Sequence, residues 1–443
     1  MKKLVYLLLF LVAGLQAQEL QLIPSTEHPA VRWMILQKLE GGEVYYIYSL
    51  DSIPPEDARF DLTTLPYGEY AVQYDADHQP GVRFIHNGED ITMRFDPLRP
   101  ERPYVLRSGT NKTYYDYLAY NRKIISRLRR FKRDYEKNPS PQLQQEYAAW
   151  RQSYNRHTDS LLDLTRGGLL WHFIKGKKEV LPRRLYETRR EYAEDALQHY
   201  FDEIDLNDTV LYNSHVLYDR LEEYLFRIPY EGYGKAKSDE YIKRLRTIFD
   251  RMHYLPSRIS FLKTLMAVFA LEDEPAKKYL ESLYEKLPDA VKSEEFAEQL
   301  NRRQWPVRGS RFNMDLLKQF TGKGLSASPY HLVIFYSSDC PHCRRQLPAL
   351  YKWMTDRKVY DKINVLAVGL EQNPLQWKSF ITPFKKWKNT YITPEIMMDA
   401  VTAFGVEYTP TYFVLDKNFT ILEKTTGGDD IYKILEYFLN HEK

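Results

Sequence analysis

His331-Leu332-Val333-Ile334-Phe335-Tyr336-Ser337-Ser338-Asp339-Cys340-Pro341-His342-Cys343 begins as an apolar, β-branched and aromatic run and ends in two cysteines three positions apart. Arg344 to Asp356 follows with helical character, so the pair stands at a strand-to-helix junction. The first sulfur then lies at the exposed N-terminus of a helix, where unpaired N–H groups and the helix dipole stabilise a thiolate. The second lies one turn inside, close enough to attack a mixed disulfide formed by the first. Pro341 suits the first helical turn, where a missing N–H costs little. His342 can donate a hydrogen bond or place a positive charge near the Cys340 sulfur, lowering its pKa further.

The pattern around this segment, from about Trp305 to the C-terminus, alternates strand and helix. Ile363–Val368 reads as a second strand, Trp377–Trp387 as containing a helix and Pro394–Phe404 as another. Thr411–Leu415 and Thr420–Glu423 read as a hairpin, and Asp430–Leu439 as a closing helix. That is an α/β domain over 305–443. Phe335 to Cys343 resembles the active-site segment of the thioredoxin superfamily. A second match lies downstream, where Gly405-Val406-Glu407-Tyr408-Thr409-Pro410-Thr411 is similar to the cis-proline loop of that family. The resemblance, over about a third of the chain, implies a cis Pro410 against the cysteine pair and a Thr409 that pairs backbone-to-backbone with a bound substrate peptide. The domain's arrangement is similar to the envelope TlpA/ResA branch, often reducing, whereas Pro341-His342 matches the dipeptide of DsbA-type periplasmic oxidants. Redox direction therefore stays open. Family members often carry a buried acid six positions before the first cysteine. Ile334 stands there, which leaves the proton acceptor for Cys343 unassigned, with Glu371, after the second strand, as a candidate substitute.

Residues 106–304 read as an all-α region. Tyr114, Tyr117, Leu118, Ile124, Ile125, Leu128, Phe131 and Tyr135 form one apolar stripe, with Arg122, Arg129, Arg130 and Arg133 largely off it as a solvated face. Further helices are expected over Gln142–Leu164, Arg183–Phe201, Leu217–Phe226, Asp239–Met252, Ser257–Leu271 and Glu274–Leu287. Phe201 to Asp208, before a Leu/Tyr-rich helix, resembles regions that precede thioredoxin domains in Gram-negative envelope proteins. Residues 18–105 carry strand-like runs at Val44–Tyr48, Tyr70–Tyr74 and Ile91–Phe95, with turn signals at Glu40-Gly41-Gly42, Pro54-Pro55 and Asn87-Gly88. A small antiparallel β-sandwich-like domain fits, its tyrosines read as packing residues.

Met1 to Ala17, a basic start, an apolar run from Leu4 to Val12 and a small-residue exit, reads as a signal peptide. An exported chain of 443 residues with 2 cysteines has no disulfide framework, so a pair kept three apart reads as a reagent. A net charge of +3, from 63 basic and 60 acidic residues, leaves no footprint of nucleic-acid binding. The histidines show no metal-ligand spacing, and a mean hydropathy of −0.55 excludes a polytopic membrane protein.

The expectation is a multidomain α+β protein: signal peptide 1–17, β-rich domain 18–105, helical domain 106–304 and thioredoxin-like domain 305–443. Its function is that of a periplasmic thiol–disulfide oxidoreductase of the Gram-negative envelope, with Cys340 and Cys343 catalytic, Pro341 and His342 tuning, and Thr409 and Pro410 binding substrate. No cofactor or metal is expected. Partners are cysteine-containing envelope proteins and a membrane electron-transfer protein. The alternative is an envelope binding protein that uses the thioredoxin fold as a scaffold.

Overall fold

The computed structural model describes residues 18–25, 31–51, 58–74, 81–293, 296 and 305–441. The leader expected over 1–17 and the turn expected at Pro54-Pro55 lie outside them. The chain is a multidomain α+β protein that divides into two compact units. The first takes the described residues up to Pro229 together with Arg251–Ser260, and the second takes Tyr230–Asp250 together with the described residues from Phe261 onward.

The first unit opens with β1 (Glu19–Pro24), β2 (Trp33–Glu40), β3 (Glu43–Asp51), β4 (Ala58–Asp61), β5 (Gly68–Gln73), β6 (Val82–His86), β7 (Ile91–Phe95) and β8 (Tyr104–Arg107). They form two sheets, ordered β4-β1-β7-β8 and β3-β2-β5-β6. Alternation turns Leu20, Leu22, Phe60 and Met93 of one sheet toward Leu36, Tyr70, Val72 and Phe84 of the other, and one apolar core joins them. Pairing is antiparallel except where β1, inserted between β4 and β7, runs parallel to β7 with Leu20 opposite Ile91. The β2–β3 hairpin closes with Glu40 opposite Glu43, a two-residue turn that needs positive φ. Gly41, at φ 59°, supplies it. Tyr70 is buried as expected, but Tyr45 and Tyr46 are 43% and 63% exposed, because β3 is an edge strand.

Helices α1 (Gly109–Lys137), α2 (Pro141–Thr165), α3 (Leu169–Gly176), α4 (Arg189–His199) and α5 (Val216–Glu222) follow. Ile124, Leu128 and Phe131 of α1 pack with Tyr147, Trp150 and Tyr154 of α2, while Arg129, Arg130 and Arg133 are exposed. Helix α4 starts later than the periodicity suggests because Thr188 and Glu191 form a reciprocal capping box there.

Three helices come next in the chain, α6 (Lys235–Arg251), α7 (Leu255–Phe269) and α8 (Glu274–Tyr284), and then α9 (Met314–Thr321). The sheet of the second unit is built from β9 (Tyr330–Tyr336), α10 (Pro341–Asp356), β10 (Ile363–Leu370), α11 (Pro374–Ile381), β11 (Lys388–Ile392), α12 (Pro394–Phe404), β12 (Thr411–Asp416), β13 (Ile421–Thr425) and α13 (Gly428–Asn440). Its order is β11-β10-β9-β12-β13, with β9, β10 and β11 parallel and β12 and β13 antiparallel additions. Strand β9 is central and covered on both faces, hence its apolar run from Leu332 to Tyr336. Leu332, Ile334 and Tyr336 face a core with Leu347 and Leu350 of α10, and Val333 and Phe335 face another with Ala400 and Phe404 of α12. The helix expected over Trp377–Trp387 ends at Ile381, and the edge strand β11 follows, too polar in alternation to read as a strand.

Buried charge ties α6 and α8 into this unit. Arg308 donates to Asp273 at 3.0 Å and to Glu423 of β13 at 2.9 Å. Asp273 caps α8 through Ala276 N at 2.9 Å and accepts from Ser238 of α6 at 2.7 Å.

Candidate active site

Strand β9 delivers the chain into Ser337–Asp339, and α10 begins directly after Cys340, its N-cap residue, with Pro341 in the first turn. Cys340 is half-buried and Cys343 fully buried, both as thiols. Burial alone would raise the pKa of Cys340. The amide of Cys343, the Thr409 side chain, the Cys343 thiol and the amide of His342 outweigh it, so the thiol is held below its ordinary value. Cys343 goes the other way: burial, reinforced by Cys340, pushes it up to about 12.

The antiparallel register of β12 on β9, with Thr411 opposite Phe335, brings the preceding loop beside the cysteines. The Thr409–Pro410 peptide bond is cis, and the Cys340 thiol donates to the Thr409 carbonyl at 3.3 Å. Cys340, Cys343, Thr409 and Pro410 therefore converge. His342 is present in a different capacity from the one its ring suggested. Its Nδ1 lies 3.1 Å from Arg345 Nη2, and a guanidinium only donates, so Nδ1 accepts in this contact. What reaches Cys340 is the backbone N–H of His342.

Ile334, six positions before Cys340, is core. Glu371, 1% exposed, accepts from Ser338 N at 2.7 Å and Ser338 Oγ at 2.6 Å, and burial holds its carboxyl above the ordinary range. Arg344 Nε donates to the Ser338 carbonyl at 2.6 Å. Glu371 thus holds the loop ahead of Cys340, with no hydrogen bond to Cys343 among the described residues. Ser338 and Arg344 escaped the sequence reading. Their only signal was adjacency to the cysteines, and the pairing with Glu371 exists only across the sheet. Among the described residues, no cluster of three His, Cys, Asp or Glu side chains is placed to hold a metal ion, and no helix is long and apolar enough to cross a membrane.

A family model described as thioredoxin-like matches residues 329–421, from the entry to β9 to the start of β13. This part of the chain is a thioredoxin-like domain. No curated protein matches the chain. Among solved structures, a thiol:disulfide interchange protein from Bacteroides sp. is 26% identical, with 26% of this chain and 76% of that one covered and a TM-score of 0.24. The thioredoxin domain of a thiol-disulfide oxidoreductase from Bacteroides vulgatus is 26% identical, over 28% and 84%, with a TM-score of 0.23. A thioredoxin-like protein from Bacteroides caccae is 17% identical, over 60% and 98%, with a TM-score of 0.34. The thioredoxin-like domain supports a redox function, and its cysteine pair lies within the matched segment.

Proposed function

We propose that the thioredoxin-like domain exchanges disulfides with protein cysteines. In the reducing direction, the Cys340 thiolate attacks a substrate disulfide, the substrate S–S bond breaks and one substrate sulfur leaves as thiolate. Cys343 then loses its proton and attacks Cys340, releasing the second substrate thiolate and leaving a Cys340–Cys343 disulfide. Two electrons have passed to the substrate, and the reverse sequence oxidises a dithiol. Thr409 and Pro410 position the substrate strand, and Pro341 and His342 shape the helix terminus that holds Cys340.

The observation that carries this reading is the split between the two thiols. One is depressed at a helix N-terminus and reachable, while the other is raised and buried. An exposed nucleophile with a protected resolving partner is what stepwise exchange requires. The expected leader and the resemblance to envelope proteins support a Gram-negative periplasmic setting, with cysteine-containing envelope proteins as substrates and a membrane electron-transfer protein as the recharging partner.

The test is dithiol-dependent reduction of insulin alongside oxidative refolding of a reduced substrate, with Cys340→Ser as control. Activity in either direction, absent in Cys340→Ser, is the expected result. Inactivity in both, with Cys340 inert toward thiol reagents, overturns the enzyme reading and leaves the scaffold reading. Equilibration with glutathione then decides direction.

A further inference from the structure

A cavity of about 190 Å³ in the first unit lies between α1, the segment leading into α4 and Pro229. That is room for about six waters, so a ligand of similar atom count fits and a peptide or nucleotide does not. Buried Pro182 and Leu185 and the ring of Tyr192 supply its apolar lining.

Lys132 of α1 lines this space, and its Nζ stands 3.1 Å from the centroid of the Tyr192 ring. No carboxylate of a described residue lies within ion-pair distance of that nitrogen. A ring face attracts an ammonium but gives it no carboxylate to hold its proton in place. Burial is the main influence on the amine and pushes it down to about 8 from its ordinary 10.5, with Glu136 opposing and Arg129 reinforcing. Such a lysine is unprotonated far more often near neutral pH than one on the surface, and the free amine is a nucleophile.

Two further basic side chains, Arg184 and Arg189, stand exposed at the same cavity. Arg184 lies 5.0 Å from the centroid of the Tyr186 ring, and neither guanidinium is ion-paired with a described carboxylate. Glu136, one turn along α1 from Lys132, is the one acid among the lining residues. Three basic side chains against one acid favour an anionic ligand.

We propose that Lys132 captures a small 2-oxo acid as an imine. The ligand's carboxylate faces Arg184 and Arg189, its carbonyl carbon meets Nζ, and its alkyl end lies against Pro182 and Leu185. The planar guanidinium suits a carboxylate. The Nζ lone pair attacks the carbonyl carbon, the carbonyl oxygen takes up a proton, and the carbinolamine loses water to leave a C=N bond. The water carries off the carbonyl oxygen and two amine hydrogens, so no electrons change hands and no co-reactant is needed. This site is independent of the disulfide-exchange reading.

The probe is pyruvate, incubated with the full chain and sodium cyanoborohydride, which fixes an imine as a stable secondary amine for peptide mapping by mass spectrometry. Lys132 is expected to take the adduct at least tenfold faster than any other lysine, with a rate that saturates in pyruvate. Pyruvamide, which keeps the carbonyl and lacks the charge, should label Lys132 at least fivefold more slowly. Arg184→Gln combined with Arg189→Gln should bring the pyruvate rate down to that of pyruvamide and leave the pyruvamide rate unchanged. Both side chains are exposed, so this variant keeps its fold. Labelling spread evenly over the lysines, equal rates for pyruvate and pyruvamide, or a double variant that labels like the parent overturns the proposal.

Discussion

The Cys340 thiol and the Thr409 carbonyl, 69 residues apart in the chain, meet at 3.3 Å. That contact places a depressed thiol against the loop that carries Thr409 and Pro410, while Cys343 stays sealed in the core. The two cysteines are therefore inequivalent before any substrate arrives.

Alkylation should expose this inequivalence. In the reduced native protein, iodoacetamide is expected to modify Cys340 with a rate that rises with pH through a single inflection below the ordinary thiol value of 9.0. Cys343, held near 12, should react only after unfolding. Peptide mapping by mass spectrometry reads both. Equal labelling of the two in the native state would contradict the arrangement.

A second expectation separates the ring of His342 from its backbone. The amide, not the imidazole, reaches Cys340. His342→Ala keeps that N–H and should leave the potential of the pair nearly unchanged. His342→Pro deletes it, and loss of one hydrogen bond to a thiolate is worth roughly 1.5 kcal/mol. That corresponds to about one pKa unit upward for Cys340 and about 30 mV toward a more reducing pair. Equilibration of both variants with glutathione measures it, and equal shifts would return the effect to the ring.

Glu371 should act as a clamp on Ser338. Glu371→Leu leaves a buried N–H and a buried hydroxyl without an acceptor, a loss of about 1–3 kcal/mol for each. Glu371→Gln retains an acceptor for the N–H and should lose less. The folded carboxyl lies above its ordinary 4.5, so the native state keeps a proton that the unfolded chain has lost. Stability therefore declines as pH rises from 4.5 through the folded value, and Glu371→Gln should flatten that slope. Urea unfolding between pH 4 and 8 gives both answers.

The buried Arg308 network predicts the largest single loss of stability in the second unit. Arg308→Met strands the carboxylates of Asp273 and Glu423 without their common cation. Removing one member of such a cluster costs about 3–5 kcal/mol. Adding Asp273→Asn and Glu423→Gln should recover part of it. A single variant as stable as the parent would show that the network is dispensable.

Some of this was written in local sequence. Cys340, Cys343 and Pro341 could be read because a helix N-terminus is a local chemical object, and β9 because a strand buried on both faces carries a near-continuous apolar run, here Leu332 to Tyr336. The stripe on α1 followed from periodicity, and Thr409-Pro410 from a short contiguous match. Tertiary structure decided the rest. Edge strand β11 went unread because its burial alternates among polar residues, and Tyr45 and Tyr46 lie on an edge that no local pattern marks. Glu371 found Ser338 across the sheet, the His342 ring was claimed by Arg345, and Arg308 was joined to two carboxylates distant in sequence. In each case the deciding quantity was a partner's position in space: a buried polar group takes whichever donor or acceptor the fold brings within about 3 Å, and sequence spacing carries no record of it.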